Sequence, residues 1–429
     1  MGGMFETIRN AWKIPDLRKK ILFTIAMLVI YRVGSHIPVP GLDPQKFAQL
    51  VGTGSLLGFM DIITGGAFKN ATIFAMSITP YINSSIIMQL LTVAIPRLER
   101  LQREGEEGRK IIQKYVRYGT VLLGFLQAVG LYLSLRGAVK DGGSILSFIT
   151  ITLTFTAGTA FLMWLGEQIT EYGIGNGISL IIFAGIVSRG PSAANTLLGY
   201  FQNWSQNNVL LGVLALLAIL AIFVLVIAAV VWVQQGERRI PVQYAKRVVG
   251  RKMYGGQSTH LPIKVNLAGV IPIIFAMSIM LFPSTIITFF AASSNSGIVR
   301  FFKNFPNTIW YAIFYALLII MFTFFYSIIQ FNPVEISNNL KKNGGFIPGL
   351  RPGKPTSDYI TRVLNRITWF GGLFLAVVTV LPILFGLIFH ISGLWIGGTT
   401  VLILVGVALD TIKQIEAQML MRHYKGFLE

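Results

Sequence analysis

Residues 210–233 read LLGVLALLAILAIFVLVIAAVVWV, a run without a charged side chain, and the chain then turns polar at Gln234-Gln235-Gly236-Glu237-Arg238-Arg239. A bilayer core about 30 Å thick takes about 20 residues of helix at 1.5 Å each, so the run reads as a membrane span. A core helix of a soluble protein rarely sustains that length without charge.

Working outward, charge-poor windows of similar length recur at 21–37, 71–95, 118–135, 145–166, 174–187, 267–291, 309–331, 368–389 and 394–409, ten with the first. The window 174–187 is short and opens on Gly173-Ile174-Gly175-Asn176-Gly177, so hydropathy supports it least. The composition agrees: 53% of the 429 residues are hydrophobic and 12% charged, against about 25% charged in a soluble protein. The expected fold class is therefore an all-α polytopic membrane protein.

An even number of spans places both termini on one side, and basic residues mark that side as cytoplasmic. The amino terminus, alternate loops and carboxyl terminus hold 28 of the 36 Lys and Arg, and 14 of the 17 acids. The net charge of +19 is thus mostly a property of one face. No small-x-small site follows the first window, only Arg32-Val33-Gly34-Ser35-His36, so it reads as a permanent anchor rather than a cleaved signal.

Several functions are excluded. A soluble nucleic-acid binder carries its positive charge within a charge-rich surface, which this chain lacks. With no cysteine, disulfides, thiolate catalysis and zinc–sulfur sites are ruled out, and His36, His260, His390 and His423 are too scattered for a metal cluster. Gly353-Lys354 is followed by Pro355 rather than completing a phosphate loop, and HExxH and GxSxG are absent. Neither an enzyme nor a cofactor site is expected.

The windows are also poor in the ionisable groups that couple secondary transport. Glu167 and Glu171 sit at a cytoplasmic boundary and Arg32 near the outer end of the first window. Asn83, Ser84, Ser85, Gln89, Asn176 and Asn266 are uncharged and read first as helix–helix glue. A small-solute transporter remains the alternative reading, one that needs an intramembrane charge or substrate-binding break.

Ser55-Leu56-Leu57-Gly58-Phe59-Met60-Asp61-Ile62-Ile63-Thr64-Gly65-Gly66 fits no span. A helix of that length rises about 18 Å, short of the ~30 Å of hydrocarbon. A surface helix at the outer leaflet and a re-entrant half-helix both satisfy it. Two cytoplasmic loops are long and basic. Loop 234–264 carries Arg238, Arg239, Lys246, Arg247, Arg251, Lys252 and Lys264 against Glu237 alone; loop 332–366 carries Lys341, Lys342, Arg351, Lys354, Arg362 and Arg366. Topology explains charges near span ends, whereas the loop middles suit a docking surface for an acidic or RNA-containing partner.

Five stretches resemble one family. They are Thr79-Pro80-Tyr81-Ile82-Asn83-Ser84-Ser85-Ile86-Ile87-Met88-Gln89-Leu90-Leu91, Glu104-Gly105-Glu106-Glu107-Gly108-Arg109, Gly173-Ile174-Gly175-Asn176-Gly177-Ile178-Ser179, Tyr244-Ala245-Lys246-Arg247, and Ser258-Thr259-His260-Leu261-Pro262-Ile263-Lys264-Val265-Asn266-Leu267-Ala268-Gly269-Val270-Ile271-Pro272. Together with Pro348-Gly349 and Arg351-Pro352-Gly353 they resemble the SecY family, central subunits of the bacterial protein-conducting channel.

That resemblance implies ten helices in two pseudo-symmetric five-helix halves around an hourglass pore, residues 1–187 and 209–412, hinged at an external loop 188–208, with a cytoplasmic tail 413–429. It implies a pore ring of Ile78, Ile82, Ile178, Ile182, Ile274 and Ile403, a re-entrant plug at 55–66, and a lateral gate with Ile86 and Gln89 facing Asn266, Ser278 and Phe282. The pairs 78/82 and 178/182 are each four residues apart, as one helical face requires. It further implies SecE and SecG as membrane partners, and SecA or the ribosome with its nascent chain docking through Arg238, Arg239, Lys246, Arg247, Arg251, Arg351 and Lys354. The implied activity is export of unfolded preproteins with signal sequences and lateral release of helices into membrane lipid. The implied location is the bacterial cytoplasmic membrane, both termini cytoplasmic.

Overall fold

The computed structural model describes residues 4–50, 64–134, 136–140, 144–205, 209–244, 247–249, 252–254, 258–290, 305, 308–389 and 398–425. Its helices in chain order are α1 (Met4–Lys13), α2 (Pro15–Gly34), α3 (Pro44–Leu50), α4 (Thr79–Ala94), α5 (Pro96–Arg103), α6 (Glu106–Ser134), α7 (Ile145–Tyr172), α8 (Gly177–Ser188), α9 (Gly190–Ser205) and α10 (Val209–Gln235). Strands β1 (Glu237–Tyr244), β2 (Arg247–Val249), β3 (Lys252–Tyr254) and β4 (Ser258–Lys264) follow. The remainder is α11 (Ile271–Phe290), α12 (Ile309–Gln330), α13 (Pro333–Lys342), β5 (Gly345–Phe346), α14 (Lys354–Phe389) and α15 (Gly398–Lys425).

Each of the ten windows falls on a helix: α2, α4, α6, α7, α8, α10, α11, α12, α14 and α15. Among the described residues seven helical stretches are long and apolar enough to cross a membrane; α2, α4 and α11 are the windows outside that set. Local sequence fixes the helix starts. Pro15, Pro80 and Pro333 occupy first-turn positions, where a missing N–H costs nothing. The Ser144 hydroxyl caps α7, and Asn332 Oδ1 accepts from the N–H groups of Val334 and Glu335 at α13.

The window 71–95 is helical only from Thr79 to Ala94. Residues 64–78 run as turns, with Ala67, Phe68, Ala71, Phe74, Ala75 and Ile78 all buried. Irregular backbone at membrane depth survives where protein surrounds it and its polar groups are bonded. Here Val39 N–H donates to Ala71 O at 2.9 Å and Ile73 N–H to Ile37 O at 3.0 Å. Space comes from glycines: a Cβ on Gly34 would lie 2.0 Å from the Phe74 ring, and one on Gly158 would lie 2.0 Å from the Ile73 carbonyl oxygen.

The segment 188–208, expected as an external loop, is largely the helix α9, packed on α8 and α10. The two basic loops also hold more order than expected. Strands β4, β1 and β5 form one antiparallel sheet, so loop 332–366 supplies an edge strand to the hairpin of loop 234–264. Ile240, Val242, Ile263, Leu340, Ile347, Ile360 and Leu364 are its core. A small sheet-containing unit is thus added to the all-α membrane body. It is mounted on α14, whose 36 residues extend about 54 Å, well beyond a bilayer core.

Ile263 is fully buried in that core, so Ile263→Asp places an unpaired carboxylate in it, at a cost of several kcal/mol. Limited proteolysis of the variant should open new cleavage sites in both 234–264 and 332–366. Cleavage confined to the first loop would mean the two fold independently.

Candidate functional site: a buried isoleucine cluster and the seam beside it

Ile78, Ile182 and Ile403 are each at most 5% exposed and belong to one buried cluster, with Ile82 and Ile178 packed against it. Five of the six expected ring residues, from α4 and its preceding turn, α8 and α15, therefore come together. Ile274 does not join them: it lies half-buried on α11, outside this cluster. The remaining members, among them Tyr31, Phe74, Leu162, Leu165, Ile169, Ile181, Ile186 and Val407, carry no charge. Its aliphatic members offer water and ions no hydrogen bond, and β-branched side chains keep them stiff.

The start of α8 explains how Ile178 and Ile182 reach this position. Asn176 Oδ1 accepts from Ser179 N–H at 3.2 Å and caps the helix. Gly175 has φ +85°, a conformation that favours glycine. A Cβ on Gly177 would lie 2.0 Å from the Gly166 carbonyl oxygen of α7, so the run of glycines permits a contact between backbones. Two hydroxyls complete it. Ile174 N–H donates to Thr24 Oγ1 at 3.0 Å and Gly177 N–H to Thr170 Oγ1 at 2.9 Å. Neither threonine is among the residues expected from the sequence; the signal was Gly166 and Thr170 four residues apart, small residues on one face of the fourth span.

Of the segment expected as a plug, residues 55–63 lie outside the described residues. Thr64, Gly65 and Gly66 are described, the glycines with φ of +68° and +89°. The Gly65 carbonyl oxygen accepts from Arg32 Nη1 and from Ser188 Oγ, each at 3.4 Å, and Tyr31 donates to Thr64 O at 3.5 Å. The base of the segment thus sits between the first and fifth spans.

On the gate side, α11 packs against α4 and α6. Ile86 is buried in the same cluster as Ile273, Phe275, Met277 and Met280 of α11, the apolar contact between the two sets of spans. Gln89 and Ser278 are half-buried, and Phe282 lies on α11. Asn266 Nδ2 donates to Gly269 O at 3.1 Å, so its side chain shapes the turn before α11. Ser84 is glue: its hydroxyl donates to Val116 O of α6 at 2.8 Å, and Gly119 makes room for it. Glu167 accepts from Arg117 Nε at 2.8 Å, tying α7 to α6.

Arg238, Arg239, Arg351 and Lys354 are exposed on the sheet-containing unit, with Arg239 Nε bonded to Glu237 at 2.7 Å. Arg247 is on β2, whereas Lys246 and Arg251 lie outside the described residues. Among the described residues, no three His, Asp or Glu side chains gather where they could hold a metal.

The profile of the SecY family matches residues 72–412. Protein translocase subunit SecY of Halalkalibacterium halodurans is 47% identical over 99% of this chain and all of its own length. The Thermotoga maritima protein of the same name is 46% identical, covering 99% of this chain and 98% of its own. The chain belongs to the SecY family. Among solved structures, one described as the structure of a protein conducting channel superposes with a TM-score of 0.67 at 22% identity, covering 94% of this chain and 92% of that one. Sec61 in a canine ribosome–channel complex gives 0.63 at 20% identity, with the same coverage. As a SecY-family chain with seven spanning stretches among the described residues, this protein is a multi-pass protein of the bacterial cytoplasmic membrane, and the family is one of channels rather than enzymes.

Ile86 is the α4 side chain buried in the cluster that holds the core face of α11, so Ile86→Ala should weaken the α4–α11 seam by about 2–5 kcal/mol. Export of a reporter with a weakened signal sequence should rise; a parental export rate with normal protein levels would remove Ile86 from the seam's energetics.

Proposed function

We propose that this chain is the pore-forming subunit of a protein-conducting channel, passing unfolded preproteins across the cytoplasmic membrane and releasing hydrophobic helices sideways into lipid. The observation that carries the reading is the isoleucine cluster: side chains from α4, α8 and α15 meet in one charge-free buried cluster. A ring of aliphatics excludes water while closed and has no preference for sequence, which transport of arbitrary polypeptides requires. Ile274 completes it when α11 moves, and residues 55–66 plug it from outside.

The seam between α4 and α11 is the lateral gate, held by apolar contact and a few weak polar groups, each worth about 1 kcal/mol or less in lipid. Residues 188–208 form the hinge between halves 1–187 and 209–412. SecE and SecG are the membrane partners, and the sheet-containing unit receives SecA or the ribosome through Arg238, Arg239 and Arg351. Both termini are cytoplasmic, in keeping with the placement of 28 of 36 basic residues. The chain performs no catalysis; a partner supplies the energy.

The lack of cysteine makes the test direct. A single cysteine at Ile82 or Ile274 should form a disulfide with a cysteine in a stalled translocating polypeptide, and one at lipid-exposed Val224 should not. Capture at Val224 without capture at either isoleucine would displace the pore. In a second test, Ile403→Asn should hydrate the ring and raise both ion leak and acceptance of defective signal sequences. Unchanged leak and unchanged stringency would leave Ile403 outside the seal. Charge reversal at Arg238 and Arg351 should weaken partner docking most at low salt; unaltered binding would move the docking surface elsewhere.

A further inference from the structure

We propose that Thr170, assisted by Thr24 and Gly166, is a positioning residue that sets the register of Ile178 and Ile182 in the seal. The inference rests on the ring reading above and adds a mechanism to it. The helix α8 holds only 12 residues, and Ile178 and Ile182 lie in its first two turns. Any displacement of the preceding loop is therefore carried directly into the ring.

That loop is held by side chains rather than by a helical ladder. Thr170 Oγ1 accepts from Gly177 N–H at 2.9 Å, immediately before Ile178, and donates to Gly166 O at 2.9 Å. Thr24 Oγ1 accepts from Ile174 N–H at 3.0 Å and donates to Lys20 O at 2.9 Å, joining the first span to the loop across 150 residues of sequence. Each hydroxyl is a relay: it keeps its own helix's carbonyl bonded while satisfying an amide of the loop. Gly166 completes the seat. A Cβ there would lie 2.5 Å from Ile178 Cδ1, so the absence of a side chain on α7 is what admits Ile178.

Thr156 provides the control. It lies on the same helix, is buried, and its hydroxyl donates only to Thr152 O within α7. Removing that hydroxyl perturbs the span without touching the loop.

The experiment uses the full chain, assembled with its membrane partners in proteoliposomes, and reads ion leak together with export of a defective-signal reporter. Thr170→Val should raise leak about fivefold, the size expected on losing one net hydrogen bond from a pre-organised element. Thr170→Ser should restore parental behaviour, and Thr156→Val should match the parent. Ile182→Asn serves as the ring control. If Ile182→Asn leaks and Thr170→Val does not, the positioning role fails while the ring stands; if neither leaks, the ring reading itself fails. Equal leak from Thr156→Val and Thr170→Val would reduce the effect to general loosening and overturn the proposal. Should Thr170→Val not assemble, Thr24→Val removes the neighbouring bond and is read against the same controls.

Discussion

A peptide group inside hydrocarbon must find its hydrogen-bond partner within the protein, because no water is there to substitute. Most of this chain meets the constraint with helices. Among the described residues it departs from helix at 64–78 and at 173–177, and both departures adjoin the isoleucine cluster. In the first, backbone groups after α2 bond the turns directly; in the second, two threonine hydroxyls do so. Glycines at 34, 158, 166 and 177 supply the room that these contacts need. Satisfying these backbone groups and shaping the isoleucine cluster are therefore one problem with one solution.

The ten spans were legible because burial in lipid demands an uninterrupted apolar run, and such runs have few competing explanations. The pairs 78/82 and 178/182 came from the resemblance to the SecY family, with which their four-residue spacing agrees. Other features resisted reading for physical reasons. Residues 71–78 are as apolar as a span, yet hydropathy reports burial and not backbone conformation, and Phe74 is buried in a turn. The sheet escaped notice because Pro241 and Pro262 interrupt the alternation of its two longer strands, and β5 contributes only Gly345 and Phe346. Pro262, on the edge strand β4, also blunts that edge against further strand pairing. Ile274 shares the motif context of the other residues expected in the ring, but it lies on α11 outside their cluster, a matter of helix placement that no local pattern encodes.

The two basic loops illustrate a different gap between sequence and structure. Read along the chain they are separate, each flanked by its own pair of spans. In space a strand from one completes the sheet of the other, and Ile347, Ile360 and Leu364 from the second loop cover Ile240, Val242 and Ile263 from the first. Arg238 and Arg351, 113 positions apart, consequently belong to one rigid presentation of charge rather than to two mobile tethers.

One helix connects that presentation to the membrane interior. In α14, Ile360 and Leu364 lie in the core of the sheet-containing unit, while Leu375 and Ala376 lie in the cluster that also holds Ile86 and the buried face of α11. No loop intervenes between these points to absorb motion. The sheet-containing unit and the seam therefore share α14 as one continuous lever arm.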